Sequence, residues 1–289
     1  MIFVNPANPK GIVWIASYPK SGNTWIRVFL YHLMRLQGGH PREDDEINKL
    51  DRASTYEGRL FGLFEEFLGK KLETATREEV TNVRPQVHAA IAQRCDGLAL
   101  VKTHNLLGQI SGISTVNLSV SAGTIYIVRD PRDIAPSLAH HLGIPIDHAI
   151  TVMGTSGYKN DNSAESAFEI WGAWDEHVYS WTAQPHEAVI VLRYEDLIAD
   201  PVRNFTAAVQ HIRQSPTPEQ IAEAVELSSF ERLREAEKQG DFRERSERAD
   251  RFFRQGAAGG WRQSLTANQA ERIVERHREQ MTRFGYLPQ

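Results

Sequence analysis

A short apolar run that stops at a proline, a lysine and a glycine, with a helix resuming at once, confines residues 13–37 to a strand–loop–helix unit. Val13 to Ala16 is continuously apolar, the pattern of a strand buried on both faces of a parallel sheet. Pro19 and Gly22 break the strand, and Ile26 to Leu36 resumes with helical spacing. A helix starting near Asn23 aims its first N–H groups and its positive dipole end back into the loop, which makes an anion site. Lys20 adds a full charge to it. The usual nucleotide loop places its lysine after the second glycine. Here Lys20 precedes Gly22 and Thr24 follows it by two, so the loop suits a phosphate-type anion outside the usual ATP–magnesium arrangement.

The rest of the chain repeats the alternation. Strands are expected at Leu98–Val101, Thr124–Val128 and Ala188–Leu192. Helical patterns cover Glu78–Arg94 (broken or begun near Pro85), Ile134–His141, Ser163–Trp181, Pro201–Ile212, Ala222–Leu227, Phe230–Ala236 and Ala267–Phe284. Residues 38–75 read as an irregular or short-helix insertion. Strands alternating with helices imply an α/β fold, a parallel sheet with helices on both faces. The 289 residues show no repeat and no low-complexity linker, and a single domain over 1–289 is expected. Each strand ends in polar residues, and ligands of open parallel sheets bind beyond the carboxyl ends of the strands. Lys20, Lys102, His104, Arg129 and Tyr194 therefore converge on one candidate site.

Composition narrows the partners. A net charge of −4 argues against a general nucleic-acid or acidic-membrane binder, so anion specificity must come from locally placed basic residues. The single Cys95 excludes an intramolecular disulfide and a cysteine-built zinc site, and fits a reducing compartment. The eleven histidines show no close metal-ligand spacing, so no metal is expected. No stretch approaches the roughly 20 apolar residues of a membrane span, and no signal-peptide core precedes the first strand; a cytoplasmic, soluble protein is expected.

Near the C-terminus, Arg254-Gln255-Gly256-Ala257-Ala258-Gly259-Gly260-Trp261 combines a cation, three glycines that allow close backbone approach, and an aromatic anchor. With Tyr18–Trp25, and with Arg129 followed eight residues later by Ser137, this segment resembles the sulfotransferases that use 3′-phosphoadenosine 5′-phosphosulfate (PAPS), in particular bacterial members of the soluble cytosolic type. The resemblance covers most of the chain, least at 38–90 and 142–185, and implies a P-loop-type three-layer fold.

The roles that follow are those the resemblance implies. Lys20 and the amides of Ser21, Gly22, Asn23 and Thr24 hold the 5′-phosphate, and Lys20 steadies the leaving oxygen. Arg129, Ser137, Arg254 and the backbone N–H of Gly256 take the 3′-phosphate. Gln255 departs from the family's lysine, which makes one charged contact neutral. Trp25 and Phe230 sandwich adenine, with Tyr194 and Ser228 adding polar contacts; the two aromatics also suit core anchors. His104, directly after a strand in Lys102-Thr103-His104, is the general base, because histidine titrates near neutrality. Lys102 either steadies the sulfuryl group or pairs with an acid. Asn23 and Thr24 also suit ordinary helix caps, Arg132 suits a partner of Asp130 or Asp133, and Trp261 suits a packing anchor.

Two other functions compete: a P-loop nucleotide kinase, with Asp130 and Asp133 as candidate magnesium ligands, and a nucleotide-binding module without catalysis. For a sulfotransferase the partner is a small-molecule, lipid or natural-product acceptor offering a hydroxyl or amine. Its wall is expected from residues 38–75 and 142–162, where Leu142–Ile146 suits either acceptor contact or core packing. No dimer motif is recognisable, and monomer and homodimer both stand.

Overall fold

The computed structural model describes residues 10–40, 46–239, 242, 245, 251–253 and 256–288. The charged run at 243–251 falls mostly outside them. Strand β1 (Gly11–Ser17) is buried along its whole length, as a continuous apolar run requires. Helix α1 (Asn23–Gln37) begins at once after Gly22. Residues 46–74 form short 3₁₀ turns, a two-residue strand β2 (Thr55–Tyr56) and helix α2 (Phe61–Leu68). Helix α3 (Arg77–Arg94) starts at a reciprocal cap, in which Thr76 Oγ1 accepts from the Glu79 N–H and Glu79 Oε2 accepts from the Thr76 N–H. It runs unbroken through Pro85, against the expected break, because Val80 and Val87 on its inner face are fully buried and offset the lost hydrogen bond.

Strand β3 (Leu98–Thr103) is followed by a small hairpin, β4 (Gln109–Ile110) and β5 (Ile113–Ser114), and then by β6 (Ser121–Val128). Helix α4 (Pro131–Leu142) is capped by Asp130 and closed by Gly143 at φ 65°. Helix α5 (Ile146–Gly154) was not expected from the sequence. The expected helix at 163–181 exists only as α6 (Trp174–Thr182). Residues 163–173 before it form only a turn and isolated β-bridges, with Ala167, Phe168 and Ile170 packed onto α2 and α3, and Gly172 sits at φ 64°, which a helix cannot use. Strand β7 (Val189–Arg193) leads into α7 (Tyr194–Ala199), α8 (Pro201–His211), α9 (Pro218–Leu227), α10 (Phe230–Gln239), α11 (Trp261–Ser264) and α12 (Ala267–Arg283).

Among the described residues the main sheet has five strands in the order β2-β3-β1-β6-β7, every pair parallel. Alternate residues of β1 feed two cores. Ile12, Trp14 and Ala16 meet α4, α5, α6 and α12, while Val13 and Ile15 meet α1, α8 and α9. This is the three-layer α/β arrangement expected from the alternation of strands and helices. Its consequence is positional: register pairs Ala16 with Thr103, Ser17 with Ile127, Val128 with Arg193, and Tyr56 with Lys102, so the polar strand ends open at one edge. No helix among the described residues is long and apolar enough to cross a membrane.

Candidate active site

A cavity of about 370 Å³ lies at that edge. Of the residues singled out in the sequence, Lys20, Gly22, Asn23, Thr24, Trp25, Lys102, His104, Arg129, Ser137, Tyr194, Phe230 and Gly256 line it. Each stands at or just beyond a strand's carboxyl end or a helix N-terminus, except Ser137 and Gly256, which α4 and the C-terminal segment bring in.

The loop between β1 and α1 takes backbone conformations that few side chains allow. Lys20 has φ 68°, a conformation few side-chain-bearing residues adopt and one that recurs at functional sites. Gly22 has φ 105°, and a Cβ there would lie 2.6 Å from the Tyr194 ring. The cap position of α1 is this glycine, with no side-chain cap, so the helix's first N–H groups stay aimed at the cavity. Asn23 is thus no cap: its Nδ2 donates to the Ile15 carbonyl (2.8 Å) and to Ser17 Oγ (3.3 Å), tying α1 to the end of β1. The Lys20 ammonium lies 3.9 Å from the centre of the Phe252 ring.

Arg129 bridges this loop to the C-terminal segment, donating to the Lys20 carbonyl (3.1 Å) and the Ala257 carbonyl (3.2 Å) while its guanidinium stacks 4.1 Å from the Tyr194 ring. Burial pushes the Tyr194 phenol up, and Arg129 partly counters it. Asp133 clamps the same segment, its two oxygens accepting from the Gly259 N–H (2.7 Å) and the Trp261 N–H (2.8 Å). Asp130 caps α4 and pairs with Arg132 at 2.7 Å. Both carboxylates a kinase would offer to magnesium are therefore engaged. Arg132 also lies 4.3 Å from the Trp261 ring, which leaves both residues structural. Gly256, at φ 58°, rests on Phe230 so closely that a Cβ would stand 2.2 Å from Cδ2 of that ring. An uncapped helix terminus, a lysine, an arginine and two aromatic walls fit a purine ligand carrying phosphate groups.

At the other end, His104 Nδ1 lies 2.7 Å from the Ser17 carbonyl. A carbonyl only accepts, so Nδ1 carries the proton in the neutral ring and Nε2 is the basic nitrogen. The peptide of His104 is held as firmly. Its N–H donates to Glu169 Oε1 (2.9 Å), and its carbonyl accepts from His177 Nε2 (3.2 Å). His177 Nδ1 accepts from the Tyr126 hydroxyl (2.9 Å), and burial pulls its pKa down to about 3, so it stays neutral. The Lys102 ammonium sits 4.0 Å from the Tyr56 ring centre, and the Tyr56 hydroxyl donates to Glu169 Oε2 (2.8 Å). Burial and the neighbouring charge of Glu57 push the Glu169 carboxyl up, against the pull of the His104 N–H, Tyr56 and Lys102.

Some expectations are displaced. Ser21 is fully buried, does not line the cavity, and its Oγ has no partner. Ser228 is likewise off the cavity, its hydroxyl turned to the Val225 carbonyl at the end of α9. Arg254 and Gln255 lie outside the described residues. Nothing from 142–162 lines the cavity; Leu142, Ile144 and Ile146 pack on the core instead. The second wall comes from Tyr56 and Arg59, within the expected 38–75, and from Ser166, Glu169 and Trp171, which the sequence did not single out because their stretch carries helical spacing without forming a helix.

Residues 10–285 match the family described as "Sulfotransferase domain". Among curated proteins the chain is similar to Sulfotransferase 1A1 of Rattus norvegicus, 27% identical over 273 residues, covering 93% of this chain and 84% of that one. It is also similar to Sulfotransferase 2A2 of Mus musculus, 26% identical over 287 residues, covering 95% and 86%. Among solved structures, retinol dehydratase in complex with androsterone and the inactive cofactor PAP aligns with a TM-score of 0.62 at 20% identity, over 93% of this chain and 80% of that one. A mouse sulfotransferase complexed with PAP aligns with a TM-score of 0.58 at 18% identity, over 96% and 85%. At these identities the structural likeness is one of fold.

Proposed function

The chain belongs to the sulfotransferase family that this domain defines, and we propose that it moves the sulfuryl group of PAPS to a hydroxyl or amine of a small-molecule acceptor. The observation that carries the reading is the pairing, in one cavity, of a lysine-bearing anion loop with a histidine whose Nε2 is its basic nitrogen. PAP, the product left by PAPS, is bound in the two solved structures described above. The donor supplies an activated sulfuryl group on a good leaving phosphate; the chain's residues supply position, charge and a base.

Lys20 and the first-turn N–H groups of α1 hold the 5′-phosphate end, and Arg129 with Ser137 and the Gly256 N–H faces the 3′-phosphate. Both clusters offer donors, which suits doubly charged groups. Trp25 and Phe230 take the purine between apolar faces, and Tyr194 backs the loop. The acceptor enters along Tyr56 and Trp171. His104 Nε2 takes the acceptor's proton as the new bond to sulfur forms. Lys20 stabilises the charge collecting on the phosphate oxygen as the old bond to sulfur breaks. Lys102, close to His104 along the chain, steadies the sulfuryl oxygens between the two. No metal is needed for these steps.

The test is ligand discrimination. PAP should bind much more tightly than ADP or AMP, with or without magnesium, and Arg129→Ala should erase the preference for the 3′-phosphate. Equal affinity for ADP and PAP would overturn the reading.

A further inference from the structure

Glu57 is fully buried between Tyr56, which lines the cavity, and Gly58, whose carbonyl accepts from the Ala167 N–H at 2.8 Å. Its Oε2 accepts from Thr103 Oγ1 (3.1 Å) and Asn105 Nδ2 (2.8 Å), the residues on either side of His104. Its Oε1 meets the Arg84 guanidinium, which donates in turn to the Phe168 carbonyl (2.6 Å). Asn105 Oδ1 accepts from the Ile170 N–H (2.9 Å). The chain neighbours of His104 and those of Glu169 are thus all tied, within two links, to one carboxylate. Glu57, Arg84, Thr103 and Asn105 themselves do not line the cavity.

We propose that Glu57 is a positioning residue of the sulfuryl-transfer site, holding His104 in register with the acceptor wall through Thr103, Asn105 and Arg84. The proposal rests on the function proposed above. A buried ion pair adds little net stability over apolar residues of the same volume, so stability alone gives poor reason for this one. Geometry gives a better one, since displacing a reacting group by about 1 Å costs on the order of 100-fold in rate. The carboxylate stays charged in its dry surroundings, because burial opposes ionisation but Arg84, His88 and Thr103 outweigh it and bring its pKa to about 2. His88 packs beside the carboxylate, its Nδ1 accepting from the Asn117 N–H (3.2 Å) and its Nε2 lying 3.3 Å from Glu57.

The experiment compares wild type with Glu57→Gln, Glu57→Asp and Thr103→Val. It measures turnover with PAPS and a simple phenol, affinity for PAP, and the His104 tautomer by ¹⁵N-histidine NMR. Wild type should show one fixed Nδ1–H tautomer at His104. Glu57→Gln should average the tautomers and lower kcat by at least about tenfold with PAP affinity and KM for PAPS nearly unchanged. Glu57→Asp, which keeps the charge, should recover part of the loss. Thr103→Val removes one hydroxyl, decides the matter if Glu57→Gln does not fold, and should show the same split at near-native Tm. Native kcat and a fixed tautomer in the folded variants would overturn the proposal, as would kcat and PAP affinity falling together. Failure of wild type to bind PAP would instead sink the functional reading, while the tautomer still decides the positioning role.

Discussion

His104 Nδ1 lies 2.7 Å from the carbonyl of Ser17, the last residue of β1, so the basic nitrogen of the ring is set by the strand that carries the phosphate loop. One strand end thereby holds both the Lys20 loop and the His104 ring. His104→Ala should lower turnover by about 10²–10⁴-fold, the usual span for a lost general base, while PAP affinity stays nearly intact. Steady-state kinetics beside calorimetric PAP titration checks this, and native turnover in the variant would exclude His104 as the base.

Gly256 has no room for a side chain, because a Cβ would stand 2.2 Å from Phe230 Cδ2 and 2.3 Å from its Cγ. Those atoms are near the ring's attachment and cannot swing aside without moving the whole aromatic wall. Gly256→Ala should weaken PAP binding by about 1–3 kcal/mol, the range for overpacking. AMP binding would weaken in parallel if Phe230 contacts the base. Unchanged titrations with both ligands would show that Phe230 is not part of the purine site.

Asp133 accepts two backbone N–H groups of the C-terminal segment. Each such bond to a charged group is worth about 1.5–3 kcal/mol, so Asp133→Ala should loosen the segment and cut PAP affinity. EDTA, by contrast, should leave wild-type turnover unchanged. Loss of activity on chelation, restored by magnesium, would return Asp133 to the role of a metal ligand.

Stability should fall on acidification in two stages. His177 is depressed in the folded chain from 6.5 to about 3, so the unfolded state takes up its proton first as pH drops below about 6.5. Glu57 is depressed from 4.5 to about 2, which adds a second loss below about pH 4.5. Each group steepens the decline by at most about 1.4 kcal/mol per pH unit. Urea unfolding between pH 7 and 4 measures this, and His177→Gln should flatten the upper stage; an unchanged slope in that variant would mean that His177 titrates normally when folded.

Much of this molecule was readable residue by residue. The strand at 13–16, the helix starting at Asn23, the interruption between α9 and α10, and the terminal helix from Ala267 all depend on neighbours within a few positions. The loop, the strand-end arginine and the glycine segment were legible for the same reason, being local motifs, and the fold brings Lys20, Arg129 and Gly256 to one cavity. Local signals misled where capping and backbone bonding were chosen by distant partners. Asn23 had the identity of a cap but bonds to β1.

At the His104 end of the cavity the sequence pointed only to the stretch 38–75, and tertiary structure decided which side chains line it. Two residues of β2 cannot display a period, and they join the sheet only because β3 offers them an edge. The stretch 163–173 has helical spacing, yet Phe168 and Ile170 are buried against α2 and α3 in a non-helical path that brings Glu169 beside His104. Glu57 and Arg84 stand 27 residues apart in the chain and meet in a dry interior where neither could remain charged alone. Sequence by itself determined what holds an anion, because a few adjacent residues make a helix terminus and a loop. Which side chains line the far wall of the cavity, and what ties His104 to them, rested on burial shared between segments far apart in the chain.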